Sequence, residues 1–168
     1  ENTNGKGTFG SQQIVSTNAI GASSVFAADL DGDGDLDLAS ASSNKIVWYE
    51  NTDSNGAFGS QHIVSTAVVG VSCIVAADLD GDGDVDLASA SSFDHKIVWY
   101  ENTDSNGAFE SQHIVSTTVI GASSIVAADL DGDGDMDLAS ASFNGNRIAW
   151  HENTNGKGTF GSQQIVST

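Results

Sequence analysis

The chain has 168 residues, with 23 acidic side chains against 5 basic ones and a formal net charge of −18. That balance excludes a nucleic-acid partner, since no Lys/Arg stripe exists to meet phosphates, and it disfavours an anionic membrane surface. No run approaches the roughly 20 apolar residues that span a bilayer, so no membrane insertion is expected. The single cysteine, Cys73, has no internal disulfide partner and reads as a small buried residue replacing a serine.

In chain order, the first signal is SQQIVST at 11–17, a short strand after the Gly/Asn-rich turn TNGKGTF. SVFAADL (24–30) is a second, small-residued strand. DLDGDGDLDL follows at 29–38, with aspartate at every second position. LDLASAS (36–42) alternates as a strand should, and KIVWYEN (45–51) is an apolar run expected to be covered on both faces. No helical period is present.

These signals recur. WYEN at 48–51 and 99–102 becomes WHEN at 150–153, and the acidic cassette begins at Asp29, Asp78 and Asp129. The units read 1–49, 50–100 and 101–151, followed by a partial unit 152–168 that repeats 1–17 letter for letter. The first unit is two residues shorter between cassette and tryptophan (ASSNKIVW against ASSFDHKIVW), which predicts a shorter loop there. Four short strands in each unit, repeated, describe an all-β chain whose units are β-propeller blades. Closed propellers have typically 4–8 blades. Three blades therefore call for a second chain, a longer array or an open stack.

The three cassettes hold 15 of the 23 acidic residues. So many like charges resist folding unless a cation offsets them, and alternate carboxylates on a tight loop suit calcium, which takes six to eight oxygen ligands. Three Ca2+ ions, about one per full unit, would bring the charge to −12. Magnesium keeps its waters more stubbornly, and zinc lacks His/Cys ligands in the cassettes. Affinity on the order of 10⁻⁴–10⁻³ M, as in extracellular modules, predicts a secreted or cell-surface setting. Any signal peptide is then removed or outside these residues.

The unit resembles the FG-GAP/VCBS repeat, the calcium-binding blade of integrin-α-type propellers. The resemblance rests on the loop D-x-D-x-D-G-x-x-D, matched three times, and on Phe9-Gly10, Phe58-Gly59 and Phe160-Gly161. Phe109-Glu110 departs from it, and the Gly-Ala-Pro element is missing. The resemblance implies side-chain ligands at Asp29, Asp31, Asp33 and Asp37, with Asp35 ligating through its carbonyl. It implies the same of Asp78, Asp80, Asp82, Asp86 with Asp84, and of Asp129, Asp131, Asp133, Asp137 with Asp135.

His62 and His113 stand where the outer copies carry Gln13 and Gln164, which favours exposed strand polarity over catalysis. No nucleophile–base constellation is readable, so no enzyme is expected. Trp48, Trp99 and Trp150 admit two readings, a core position or a platform that stacks sugars. The expected function is an extracellular calcium-binding structural or adhesive repeat protein that acts through self-association, by blade or strand completion, as a ring or filament. Glycans or cell-surface and matrix proteins are further possible partners. The alternative is a calcium-dependent, lectin-like carbohydrate-binding propeller.

Overall fold

The structure, a computed structural model, describes residues 5–110 and 112–167. Among these described residues, twelve strands form three antiparallel four-stranded sheets. Blade 1 comprises β1 (Ser24–Ala28), β2 (Asp37–Ser42), β3 (Lys45–Tyr49) and β4 (His62–Ser65), hydrogen-bonded in that order. Blade 2 comprises β5 (Val71–Ala77), β6 (Asp86–Ser91), β7 (Lys96–Tyr100) and β8 (His113–Ser116). Blade 3 comprises β9 (Ala122–Ala128), β10 (Asp137–Ser142), β11 (Arg147–His151) and β12 (Gln164–Ser167).

The register repeats from blade to blade. Ala28 lies opposite Asp37, Leu38 opposite Tyr49 and Trp48 opposite His62, with a bulge between Ile46 and Val47. Equivalent pairs and an equivalent bulge occur in blade 2. The acidic cassette forms the β1–β2 connection. The two residues missing from the first unit fall in the β2–β3 hairpin, where Ser43 and Asn44 do what 92–95 do in blade 2. That longer hairpin turns through His95 at φ 58°.

Each blade takes its fourth strand from the following sequence unit, so 152–168 supplies β12. The first SQQIVST, expected to be a strand, is not one: residues 11–17 form no strand. Its equivalents pair with the third strand of the blade before them, and no such strand lies ahead of it among the described residues. Backbone pairing needs a partner more than it needs β-propensity. Part of the turn expected at 3–9, and Ser111 and Thr168 of the later copies, lie outside the described residues.

The core sits between blades. Ala39, Ala41, Ile46 and Trp48 of blade 1 pack on Ile74, Leu87, Val98 and Tyr100 of blade 2. The opposite face of blade 2 (Val75, Ala88, Ala90, Ile97 and Trp99) packs on Ile125 and Leu138 of blade 3. The third strands of blades 1 and 2, β3 and β7, are buried on both faces, as their continuous apolar runs require, whereas β11 of blade 3 is exposed at Arg147 and Ile148. Ile46 and Ile97 are fully buried, a burial that contributes about 1.5–3 kcal/mol per side chain.

Candidate metal centres and the residues around them

The cassette folds around its first aspartate. Asp29 Oδ1 accepts from Gly32 N at 2.8 Å and Oδ2 from Gly34 N at 3.0 Å. Gly34 has φ 95°, a conformation that a β-carbon would strain. Asp31 Oδ1 then accepts from Asp33 N, and Asp33 Oδ1 from Asp35 N. The ninth residue, Asp37, is buried, and its two oxygens accept from Leu30 N at 2.9 Å and Asn51 N at 2.8 Å. The pattern repeats at Asp78–Asp86 and Asp129–Asp137.

Carboxylate oxygens converge in each loop. Those of Asp29, Asp31 and Asp33 lie within 4.8 Å of one another, as do those of Asp78, Asp80 and Asp86 and of Asp129, Asp131 and Asp137. Ligands at about 2.3–2.6 Å on opposite sides of one calcium ion are about 5 Å apart, so the spacing fits one ion per loop. Asp37, Asp82 and Asp133 fall outside these tightest groups, and no loop gathers all four expected side chains. The seventh residues, Asp35, Asp84 and Asp135, belong to none of the groups. Asp35 and Asp84 instead accept from the hydroxyls of Ser54 and Ser105, in the β3–β4 turn of the same blade. That orientation leaves their backbone carbonyls for the role the resemblance implies.

The electrostatics fit a cation. Desolvation pushes the buried Asp86 carboxyl up to about 7, against the two backbone N–H groups that favour its ionised form. Asp31, Asp80 and Asp131 are raised as well, by desolvation first and by neighbouring carboxylates after it. Crowded, partly buried carboxylates are destabilised as anions. A divalent cation among these hard oxygen donors would relieve them.

Two features were not legible in the sequence. His62 and His113 are more than exposed strand polarity: their rings stack on Trp48 and Trp99 at centroid distances of 4.5 and 4.7 Å. Trp48 and Trp99 themselves are buried. Glu110, at the position that breaks the Phe-Gly pattern, joins Glu101 and His113 in a further group of possible ligands. His113 Nε2 lies 3.8 Å from Glu101 Oε2 there. The cue was Glu110 standing where the other blades have Gly59 and Gly161.

The sequence profile of the FG-GAP-like repeat matches residues 1–40, 29–89, 78–140 and 129–168, which together cover the chain. No curated protein matches significantly. Among solved structures, the chain is similar to a lectin of Agrocybe aegerita described as specifically recognising non-reducing terminal N-acetylglucosamine. The TM-score is 0.61 and the identity 22%, over 85% of this chain and 37% of the lectin. It is also similar to BBS1N, solved in complex with ARL6DN and soaked with lead, at TM-score 0.53 and 18% identity over 88% of this chain and 45% of that one. The chain thus spans less than half the length of either structure, and likenesses at this identity speak for the fold alone. With the three acidic loops, the repeated four-stranded sheets and the profile match in register with both, the chain belongs to the FG-GAP-like repeat family and has a β-propeller fold.

Proposed function

We propose that this chain is an extracellular calcium-binding structural or adhesive repeat protein that acts through assembly, its propeller completed by blades beyond its own three. The observation that carries the reading is the convergence of carboxylates in three equivalent loops. Asp29, Asp31, Asp33 and Asp37 hold the first ion, with Asp35 contributing its carbonyl, and the later cassettes do the same. Bound calcium would offset the like charges of each loop and tie β1 to β2. Weak sites of this kind fill in a calcium-rich exterior and not in the cytosol. The ions have a structural role in this reading, with no catalytic step. Calorimetric titration of the calcium-free chain tests it: about three ions bind per chain, and Asp80→Asn lowers the number by one. Binding of no calcium at millimolar concentrations overturns it.

A second reading, carbohydrate binding, draws on the likeness to the Agrocybe aegerita lectin. Sugar stacking needs an accessible aromatic face, whereas Trp48 and Trp99 are 3% and 4% exposed. The clefts between adjacent acidic loops, of about 110 and 150 Å³, are below the roughly 300 Å³ of common ligand pockets. Calcium-dependent binding on a glycan array would favour the lectin reading over the structural one.

A further inference from the structure

The two contacts between blades are built alike, and each leaves one unmatched half at an end of the chain. Between blades 1 and 2, Ile74 N donates to Ser24 Oγ at 3.2 Å and Asn102 Nδ2 donates to Leu30 O at 2.9 Å. Gly107 lies so close to the Trp48 ring that a β-carbon would sit 2.3 Å from it, and a β-carbon on Gly32 would sit 3.0 Å from Ser105 O. Between blades 2 and 3, Asn153 Nδ2 donates to Leu79 O at 2.8 Å, Gly158 lies against Trp99, and a β-carbon on Gly81 would sit 2.9 Å from Gly156 O.

The outer face of blade 3 carries the first half of this contact, and among the described residues nothing covers it. Leu130 is 47% exposed where Leu30 and Leu79 are 1% exposed, and Ile148 is 46% exposed where Ile46 and Ile97 are 0%. Val126 is 52% exposed where Val75 is 8%, and Gly132 faces open space. Blade 1 carries the second half on its own outer face. Val25, in the place of Ile74 and Ile125, is 63% exposed where they are 2%. Gly56, in the place of Gly107 and Gly158, has nothing near it. Asn51 Nδ2 reaches Leu36 O of its own blade at 3.3 Å but, unlike Asn102 and Asn153, no leucine carbonyl of a preceding blade.

We propose that the outer face of blade 3 docks on the outer face of blade 1 of a second copy of this chain, head to tail, and that two such contacts close a six-bladed ring. The docking deepens the assembly reading above and rests on it. By equivalence with the contacts already made, Asn51 of one copy donates to Leu130 O of the other. Gly56 seats on Trp150, Val25 N meets Ser124 Oγ, and Val25 packs against Val126. A contact between unlike faces makes a ring when the rotation closes and a filament when it does not, and six lies within the roughly 4–8 blades of closed propellers. Residues 12–16 and Ala19 lie along the blade 1 face, where with Val25, Leu38, Ser40 and Tyr49 they line a cleft of about 260 Å³. The docking copy has to displace this segment.

The test is the particle mass of the full chain in millimolar calcium, by sedimentation velocity over a concentration series. The expected mass is two chains, falling to one in Val126→Glu and Ile148→Glu and unchanged in Ile114→Glu, a residue 57% exposed on β8. The substituted side chains on the blade 3 face are already half exposed in the single chain. Each variant should therefore keep the calcium-dependent melt of the parent at low concentration, which shows that it folds. A mass of one chain up to about 100 µM, or a two-chain mass indifferent to both face variants, overturns the contact. Mass that grows without limit but is abolished by those variants supports the contact and overturns closure at two chains. A two-chain particle whose melt ignores calcium leaves the contact standing and removes the calcium reading instead.

Discussion

Replacing the second aspartate of a cassette by asparagine should have opposite consequences with and without calcium. Asp31, Asp80 and Asp131 each belong to the converging group of their loop, and each carboxyl is raised by desolvation and by its neighbours. The anion is therefore a burden on the calcium-free chain and an asset only once a cation is present. The size of the calcium effect follows from mass action. Sites with dissociation constants of about 10⁻⁴–10⁻³ M, in about 10 mM calcium, each stabilise the fold by about 1.4–2.7 kcal/mol, or about 4–8 kcal/mol for the three loops. An unfolding entropy of about 2.1 cal/mol/K per residue over 168 residues turns that into a melting shift of about 12–23 °C. Scanning calorimetry of Val126→Glu, which keeps association out of the comparison, should show this shift between chelator and calcium. Adding Asp31→Asn, Asp80→Asn or Asp131→Asn should remove about a third of it. In chelator the same substitutions should leave the melt unchanged or raise it. A calcium shift below about 2 °C would refute the reasoning, as would asparagine variants that melt lower in chelator. An equal shift in magnesium would refute the choice of ion.

Other consequences can be measured on the same samples. His151 stands where the other blades have Tyr49 and Tyr100, and both its ring nitrogens are buried without a partner among the described residues. His151→Phe should stabilise the chain by about 1–3 kcal/mol in chemical denaturation. Burial holds the His151 imidazole below its ordinary 6.5, so the unfolded chain binds the proton more readily. Its contribution is present above pH 6.5 and lost as pH falls, and the Phe variant should lack that slope. Asp86 acts in the opposite direction. With its carboxyl raised from 3.8 to about 7, the chelated chain should lose stability as pH rises through that window, a loss that Asp86→Asn removes from the pH series. Deleting residues 1–17 should lower the concentration at which two-chain particles form, since residues 12–16 no longer cover the blade 1 face; association weakened by the deletion would count against that covering role.

The repeat, the four-stranded blade and the acidic loop were legible because each depends on local chemistry. Alternating apolar residues, the Gly34-type turn and regular aspartates carry their meaning within about ten residues. The phase of the blade was not legible, because self-similarity establishes a period and says nothing of where a sheet begins. Residues 11–17 show this: identical in sequence to the segment containing β12, they form no strand for want of a third strand to pair with. The stacking of His62 on Trp48 depends on register across a twelve-residue connection with a bulge, and the group formed by Glu101, Glu110 and His113 depends on the equivalent hairpin of blade 2. The asparagines that close WYEN and WHEN are, in the sequence, only parts of a motif. Their reach to the preceding blade is a tertiary fact.

Those asparagines join the acidic loops to the contacts between blades. Asn102 N donates to Asp86 Oδ1, in the acidic loop of its own blade, while Asn102 Nδ2 reaches Leu30 O in the loop of the blade before it. Asn153 does the same with Asp137 and Leu79. An ion that draws Asp86 into its ionised, ligating form also strengthens the bond that positions Asn102, because a carboxylate accepts more strongly than a carboxylic acid. Calcium at one loop would therefore support the seam to the preceding blade as well as its own hairpin. Asn51 N donates to Asp37 Oδ1 in the same way, and across the docked ends its Nδ2 would meet Leu130 O of a second copy. Asn102→Ala, which strips a buried amide from an internal seam, should cost the single chain about 1–3 kcal/mol. Asn51→Ala should cost the single chain less, because its amide has no such internal seam to hold, yet it should weaken two-chain association and flatten its dependence on calcium. Sedimentation of Asn51→Ala across a calcium series decides the matter. Association as tight and as calcium-dependent as the parent's would separate ion binding from docking, and the loops would then stabilise each blade alone.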